Sequence, residues 1–199
     1  MKNDREEYYY NTIISNLSQS YGVLVDIGAS GFDNATSLMI QKGYGGILIE
    51  ANPYEAKKLE EYFKGREDIT VINKAISNKE GIMDFLCHEN PGWSSLEKNV
   101  FYKEGAKVET IKIEVIKIHK LLKSLNVPED FDLLKVDAEG FDYRILESMF
   151  NESKYRPQMI MHEIQHPGPE EFIKLLEKNG YTIISGLPHY GNIIYKKEE

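Results

Sequence analysis

A single cysteine, Cys87, in 199 residues excludes any intrachain disulfide. Long hydrophobic runs are also missing: none approaches the roughly 20 apolar residues that span a bilayer, so no membrane partner is expected. Positive charge is scarce, with 24 Lys and Arg against 32 Asp and Glu and a net charge of −8. Nucleic-acid binders neutralise phosphates with clustered basic side chains. Here Lys57-Lys58 and Lys196-Lys197 are short solvated pairs, so no nucleic-acid partner is expected. The charged start, Met1 to Glu7, has no apolar stretch behind it and does not read as a secretory signal. With the lone cysteine, this places the expectation in the cytoplasm. There is no internal repeat and no low-complexity tract.

What is present is an ordinary globular composition, 41% hydrophobic and 28% charged. The length suits one domain, residues 1–199, with residues 1–20 as a helical extension. In that extension Tyr8, Tyr9, Tyr10, Ile13, Ile14 and Leu17 fit one amphipathic helix, either packed on a sheet or capping a substrate.

Strand-like and helix-like segments alternate from there. Strands are expected at residues 23–26, 46–50, 69–72, 82–87, 108–115, 131–136, 158–163, 181–185 and 192–195, the last two as an antiparallel pair. Helices are expected at about residues 34–42, 52–63, 116–125, 140–150 and 170–178. Asn52-Pro53 supplies a cap and a first-turn proline, and Asn179-Gly180 closes the last helix. Repeated β-α-β units imply an α/β fold, doubly wound around a mostly parallel sheet. Residues 82–115 read as an inserted hairpin with a Gly/Pro/Asn-rich loop at 89–95.

The chemistry starts where the first strand ends, at Asp26-Ile27-Gly28-Ala29-Ser30-Gly31. Glycines let the backbone turn sharply beside a ligand, and a following helix offers unpaired N–H groups. A dinucleotide fingerprint has a second glycine here and no acid ahead of it. Asp26 would repel a pyrophosphate and favour an ammonium, directly or through water. Glu50, at the end of the next strand, can accept ribose hydroxyls, a feature of both nicotinamide and S-adenosylmethionine sites.

Four blocks then occur in order: Val25-Asp26-Ile27-Gly28-Ala29, Ile49-Glu50-Ala51-Asn52-Pro53, Lys74-Ala75-Ile76-Ser77 and Leu134-Lys135-Val136-Asp137-Ala138-Glu139-Gly140. Together they resemble the FkbM family of class I methyltransferases over about residues 22–163. The resemblance implies a seven-stranded Rossmann-like sheet, S-adenosylmethionine as cofactor, and O-methylation of a small molecule or sugar. It places Asp26, Gly28, Ala29, Ser30 and Gly31 in the cofactor loop and Glu50 on the ribose, with Ala51 and Asn52 beside it. Lys74 and Ala75 fall at the adenine edge. The family has Asn-x-Gly after Gly-Ala; this chain has Ser30-Gly31-Phe32 instead.

Strand alternation sets Lys135 and Asp137 on one face, about 7 Å apart. The neighbouring strand ends in His162 and Glu163, so Lys135, Asp137, His162 and Glu163 form the candidate catalytic cluster. Methyl transfer to a hydroxyl needs in-line positioning and a base for the departing proton. Asp137 is the first candidate base and His162 the second, with Lys135 read alternatively as a buried partner for Asp137 or Glu163. No metal is expected, although Asp137, Glu163 and His162 are ligand types that suit one. Trp93, Ser94, Ser95 and Glu139 are the candidate substrate contacts, since Trp93 with adjacent hydroxyls can stack on and bond a sugar. Trp93 packed on the core is the equal alternative. Two other functions fit parts of the pattern: a nicotinamide-dependent oxidoreductase, and a cofactor-binding scaffold without activity.

Overall fold

Short β-branched runs separated by amphipathic stretches build a seven-stranded sheet in the computed structural model of the chain. The structure describes residues 2–18, 20–30, 36–97, 106–163, 169–186 and 192–198. Numbered along the chain, the strands of the main sheet are β1 Val23–Ile27, β2 Gly45–Ile49, β3 Ile69–Ile72, β7 Leu133–Val136, β8 Met159–Glu163, β9 Tyr181–Gly186 and β10 Asn192–Lys197. Their order is β3-β2-β1-β7-β8-β10-β9. Neighbours from β3 to β8 pair in parallel, and β10 runs antiparallel to both β8 and β9. The smaller sheet joins β4 Ala75–Ile76, β6 Val108–Ile116 and β5 Gly81–His88, with β5 and β6 as the expected antiparallel hairpin.

Period-two alternation sorts the sheet's side chains between two cores. Val25, Ile27, Leu134, Val136 and Ile160 pack with the smaller sheet and with helices α4 Ile118–Ser124, α5 Asp142–Glu152 and α6 Pro169–Lys178. Leu24, Leu48, Leu133, Met159 and Met161 face the other way, against α1 Lys2–Ile14, α2 Ser37–Gln41 and α3 Pro53–Tyr62. The N-terminal segment is therefore a helix packed on the sheet: Tyr9 and Ile13 are fully buried there. The Tyr8 hydroxyl lies 2.7 Å from Ser185 Oγ in β9.

Boundaries differ from the sequence expectation where another bond competes. Asp132, expected in a strand, precedes β7; its buried carboxylate accepts the N–H groups of Tyr21, Gly22 and Val23 and ties the start of β1 to the start of β7. Ile116 belongs to β6, paired with Ile76, so α4 begins at Ile118. Helix α5 begins at Asp142, because Glu139 (φ 47°) and Gly140 (φ 101°) are left-handed and cannot belong to a right-handed helix. Among the described residues, no helix is long and apolar enough to cross a membrane.

Candidate active site

The carboxyl ends of β1, β2 and β7 open into one cleft, the position where doubly wound sheets hold ligands. Its walls include Gly28, Ser30, Glu50, Ala51, Lys74, Ala75, Asp137 and Glu139, all singled out by sequence. Ile27, Ile49 and Ile76, which stand inside the sequence blocks but carried no assigned role, add an apolar lining together with Phe85 and Leu96. Gly28 is required by its surroundings. Its φ is +78°, and a Cβ there would stand 1.8 Å from the carbonyl oxygen of Asp137. The Asp137 N–H in turn donates to Ile27 O at 3.0 Å, so the β1 turn and the β7 turn hold each other. Gly31, expected in the same loop, lies outside the described residues.

Asp26 does not face the cleft. The β1–β7 register sets it beside Lys135, and both side chains point into the core under α1 and α2. Asp26 is fully buried, with Lys135 Nζ at 3.1 Å from Oδ1 and the Thr36 hydroxyl donating to Oδ2 at 2.5 Å. Lys135 Nζ also reaches Asp137 Oδ2 at 3.4 Å. Burial raises the Asp26 carboxyl, while Lys135 and Thr36 oppose it. Burial also disfavours the Lys135 ammonium, but Asp26 and Asp137 outweigh that and hold it charged, so the pair is ionic. Lys135 is the buried partner of two aspartates, one of which sequence reasoning had not assigned to it. Lys135 and Asp26 are not among the cleft's lining residues: Lys135 meets the cleft only through Asp137, and the ammonium beside Asp26 is that of Lys135 rather than a ligand's.

Glu50 is the acid that stays in the wall. It is 5% exposed, accepts the Asn52 N–H on Oε1 at 2.6 Å, and is pushed by burial up to about 7. Asn52 lies behind the wall: its Oδ1 caps α3 through the Tyr54 N–H at 3.0 Å. Asn73, not marked by sequence, donates from Nδ2 to the carbonyls of Glu50 at 2.8 Å and Ala51 at 3.1 Å, fixing the backbone that carries the acid. Lys74 pairs with Glu114 at the cleft's edge. Ala29 turns away, 1% exposed, into the core below α2.

The loop after β5 closes the far side. Ser95 bridges back to Leu86, its hydroxyl donates to Glu139 O at 2.7 Å, and it accepts the Glu97 N–H at 2.9 Å. Ser94 Oγ accepts the His88 N–H at 3.1 Å. These hydroxyls pin the loop to the β7 turn and to the hairpin; of the two, Ser94 also lines the cleft. Trp93 is 39% exposed and lies 5.2 Å from the His88 ring, so it neither fills the core nor lines the cleft.

His162 is placed against its expected role. The register sets it beside Val136, on the opposite face from Lys135. Its ring is stacked between Phe172 at 4.1 Å and Tyr195 at 5.5 Å, fully buried. Nδ1 lies 2.7 Å from the Glu163 carbonyl and so carries the proton, and burial lowers its pKa to about 4. A neutral, enclosed imidazole is a core residue. Glu163, one residue on, is half-buried and comes together with Asp137 and Glu139. Asp142, missed because it reads as an ordinary first-turn acid, is fully buried behind them. Its Oδ1 accepts the Ala138 N–H at 2.6 Å, and burial with the nearby Asp137 charge pushes it up to about 7.

This arrangement can be set beside known proteins. The family model of the methyltransferase FkbM domain matches residues 25–183. The chain belongs to this family. As an FkbM-family protein it is an S-adenosylmethionine-dependent methyltransferase. No curated protein is similar enough in sequence to match it. Among solved structures, magnesium protoporphyrin IX methyltransferase from Synechocystis PCC 6803 with bound S-adenosylmethionine is similar with a TM-score of 0.51 and 6% identity, over 99% of this chain and 79% of that one. A 1,6-didemethyltoxoflavin N1-methyltransferase from Burkholderia thailandensis, bound to its acceptor and S-adenosylhomocysteine, gives 0.50 and 12%, over 98% and 79%. At such identities the likeness shows the shared Rossmann-like methyltransferase fold.

The cleft of the FkbM-family chain fits its cofactor on three counts. Glu50 stands in the wall with only Oε1 hydrogen-bonded among the described residues, Ile49, Ile76 and Phe85 give an adenine-sized ring apolar walls, and Gly28 keeps the β1 turn free of a side chain.

Proposed function

We propose that the chain methylates a hydroxyl oxygen of a small molecule or sugar, in the cytoplasm. In this reading Glu50 holds the ribose hydroxyls of the cofactor, and Lys74 and Ala75 border its adenine. Bound S-adenosylmethionine supplies a sulfonium methyl: the S–C bond breaks as the acceptor oxygen bonds to carbon, and the electron pair stays on sulfur. The acceptor's proton then needs a base within hydrogen-bond reach.

The observation that carries the reading is Asp137. It borders the cleft, Lys135 occupies its Oδ2, and its Oδ1 is buried without a hydrogen-bond partner among the described residues. A buried acceptor without a donor favours a hydroxyl brought beside it, within reach of the proton that the hydroxyl gives up. Lys135 is then a positioning residue, fixing Asp137 from below. The net charge of −8 favours a small acceptor over a phosphate-rich polymer. Family membership disfavours the oxidoreductase alternative, and an inactive scaffold is separable by assay.

Asp137→Asn tests the reading. It should bind S-adenosylhomocysteine within about twofold of wild type yet lose about 100-fold or more in transfer of labelled methyl to a hydroxylated acceptor panel. Equal transfer by the variant would remove Asp137 as base. A wild type that binds cofactor and methylates no acceptor would favour the scaffold.

A further inference from the structure

The loop that closes the far side of the cleft carries the single tryptophan of the chain. Gly92 and Ser94, on either side of Trp93, both line the cleft, whereas the Trp93 ring stands outside it, 39% exposed. A large aromatic ring kept in solvent forgoes the burial that usually stabilises it. This one is also held in place. The Trp93 backbone N–H donates to Asn90 O at 3.0 Å, and the Ser94 N–H to Pro91 O at 3.1 Å. Beside the indole, the buried His88 ring accepts the Asn90 N–H on Nδ1 at 2.8 Å.

A second observation is independent of the tryptophan. His88 also lines a hollow of about 560 Å³, together with Asn52, Tyr54, Glu89, Lys107 and Glu109. That size falls in the range of roughly 300–1,000 Å³ that suits small ligands. The hollow and the cleft share a wall: Asn52 in the one lies 3.5 Å, Nδ2 to Oγ, from Ser94 in the other. Tyr54 is 59% exposed, and its hydroxyl donates to Glu109 at 3.4 Å. Aromatic faces for C–H groups, carboxylates that accept from hydroxyls, and a lysine that donates to them match a polyhydroxylated ring. Two acids against one lysine disfavour a phosphate or nucleotide, whose charge needs cations around it.

We infer that Trp93 and the hollow form an outer subsite for a neutral oligosaccharide acceptor, whose reacting sugar enters the cleft while a following sugar rests on Trp93. The inference rests on the hydroxyl-methylation reading. The loop is tied to the reacting end of the cleft, because the Ser95 hydroxyl donates to Glu139 O at 2.7 Å, two residues from Asp137. A sugar chain extending from Asp137 past Glu139 therefore meets the loop that presents the indole. Trp93 binds and does not react, so it is a specificity residue. Because its ring is already fixed, little ordering is needed when a sugar stacks on it.

Trp93 is the only tryptophan, so the intrinsic fluorescence of the full-length protein reports on this position alone. The protein saturated with S-adenosylhomocysteine is titrated with glucose, mannose, galactose and rhamnose glycosides, each as monosaccharide and trisaccharide. At least one trisaccharide should shift the Trp93 emission saturably and bind about tenfold or more tighter than its monosaccharide. Calorimetry on Trp93→Ala should show that advantage lost and S-adenosylhomocysteine affinity unchanged, with Trp93→Phe restoring most of it. Tyr54→Ala should weaken the trisaccharide and leave the monosaccharide as it was. In labelled-methyl transfer, Trp93→Ala should raise KM for the trisaccharide and leave kcat within about twofold. No sugar binding, or trisaccharide binding equal in wild type and Trp93→Ala, would overturn the subsite. If a trisaccharide shifts the emission yet no sugar accepts methyl, the oligosaccharide site stands and the hydroxyl-methylation reading fails. If monosaccharides and trisaccharides accept methyl alike and Trp93→Ala changes neither, that reading stands and the outer subsite fails.

Discussion

Asp26 and Glu50 end neighbouring strands of one sheet, both almost wholly buried, and have opposite surroundings. At the end of β1, Asp26 has Lys135 on one oxygen and Thr36 on the other. At the end of β2, Glu50 accepts the Asn52 N–H among the described residues, and burial pushes its carboxyl up to about 7. The difference separates two jobs that a sequence motif fuses. An acid with both oxygens bonded and a counter-ion belongs to the floor. An acid that is desolvated and only partly satisfied is suited to a ligand with hydroxyl donors.

The largest effect should come from breaking the floor. Lys135→Met leaves Asp26 and Asp137 without their cation, at a cost of about 3–5 kcal/mol and a fall in Tm of about 10 °C by calorimetry. Glu50→Gln should change stability by less than about 1 kcal/mol, since it removes a charge that burial already penalises. A Glu50→Gln loss as large as that of Lys135→Met would erase the contrast.

The pH dependence sharpens the same contrast. Because the folded Glu50 titrates near 7 and the ordinary value is 4.5, its contribution to the stability of the free protein is complete below pH 4.5 and is lost as pH rises through 7. Cofactor hydroxyls favour the ionised form. Affinity for S-adenosylhomocysteine should therefore fall by up to about tenfold per pH unit below 7. Of the neighbours acting on this group, the Asn52 N–H and Lys135 favour the charge, and Glu55 and Asp26 oppose it. A flat affinity between pH 5.5 and 8 would count against Glu50 as the ribose acid.

The smallest effect belongs to the loop. Ser95→Ala removes one hydrogen bond to Glu139 O and one from Glu97, a loss of about 1–2 kcal/mol. It should raise KM for acceptor more than it lowers kcat, because it loosens the wall without touching the floor. A fall in kcat alone would give Ser95 a part in the chemistry.

The strands and their order of use were readable because period-two runs are long and the Gly28 turn, the Asn52 cap and the Lys135-to-Gly140 block are local signals. Glu50 and Asp137 were readable for the same reason, each at the end of an apolar run. What escaped the sequence depends on register between distant strands. That Lys135 sits beside Asp26 follows only from the β1–β7 pairing, which joins residues 109 apart. His162 shows the same gap: its chemistry suits a base, and only its pairing with Val136 reveals that it faces Phe172. Asp142 looked like any first-turn acid until Ala138 folded back on it.

Titration of wild type and Glu50→Gln with S-adenosylhomocysteine by calorimetry at pH 8 and pH 6 tests the central claim most directly. The account predicts one site per wild-type chain, tighter at pH 8, and binding about tenfold or more weaker in Glu50→Gln with no difference between the two pH values. Equal affinity of the two proteins would contradict it.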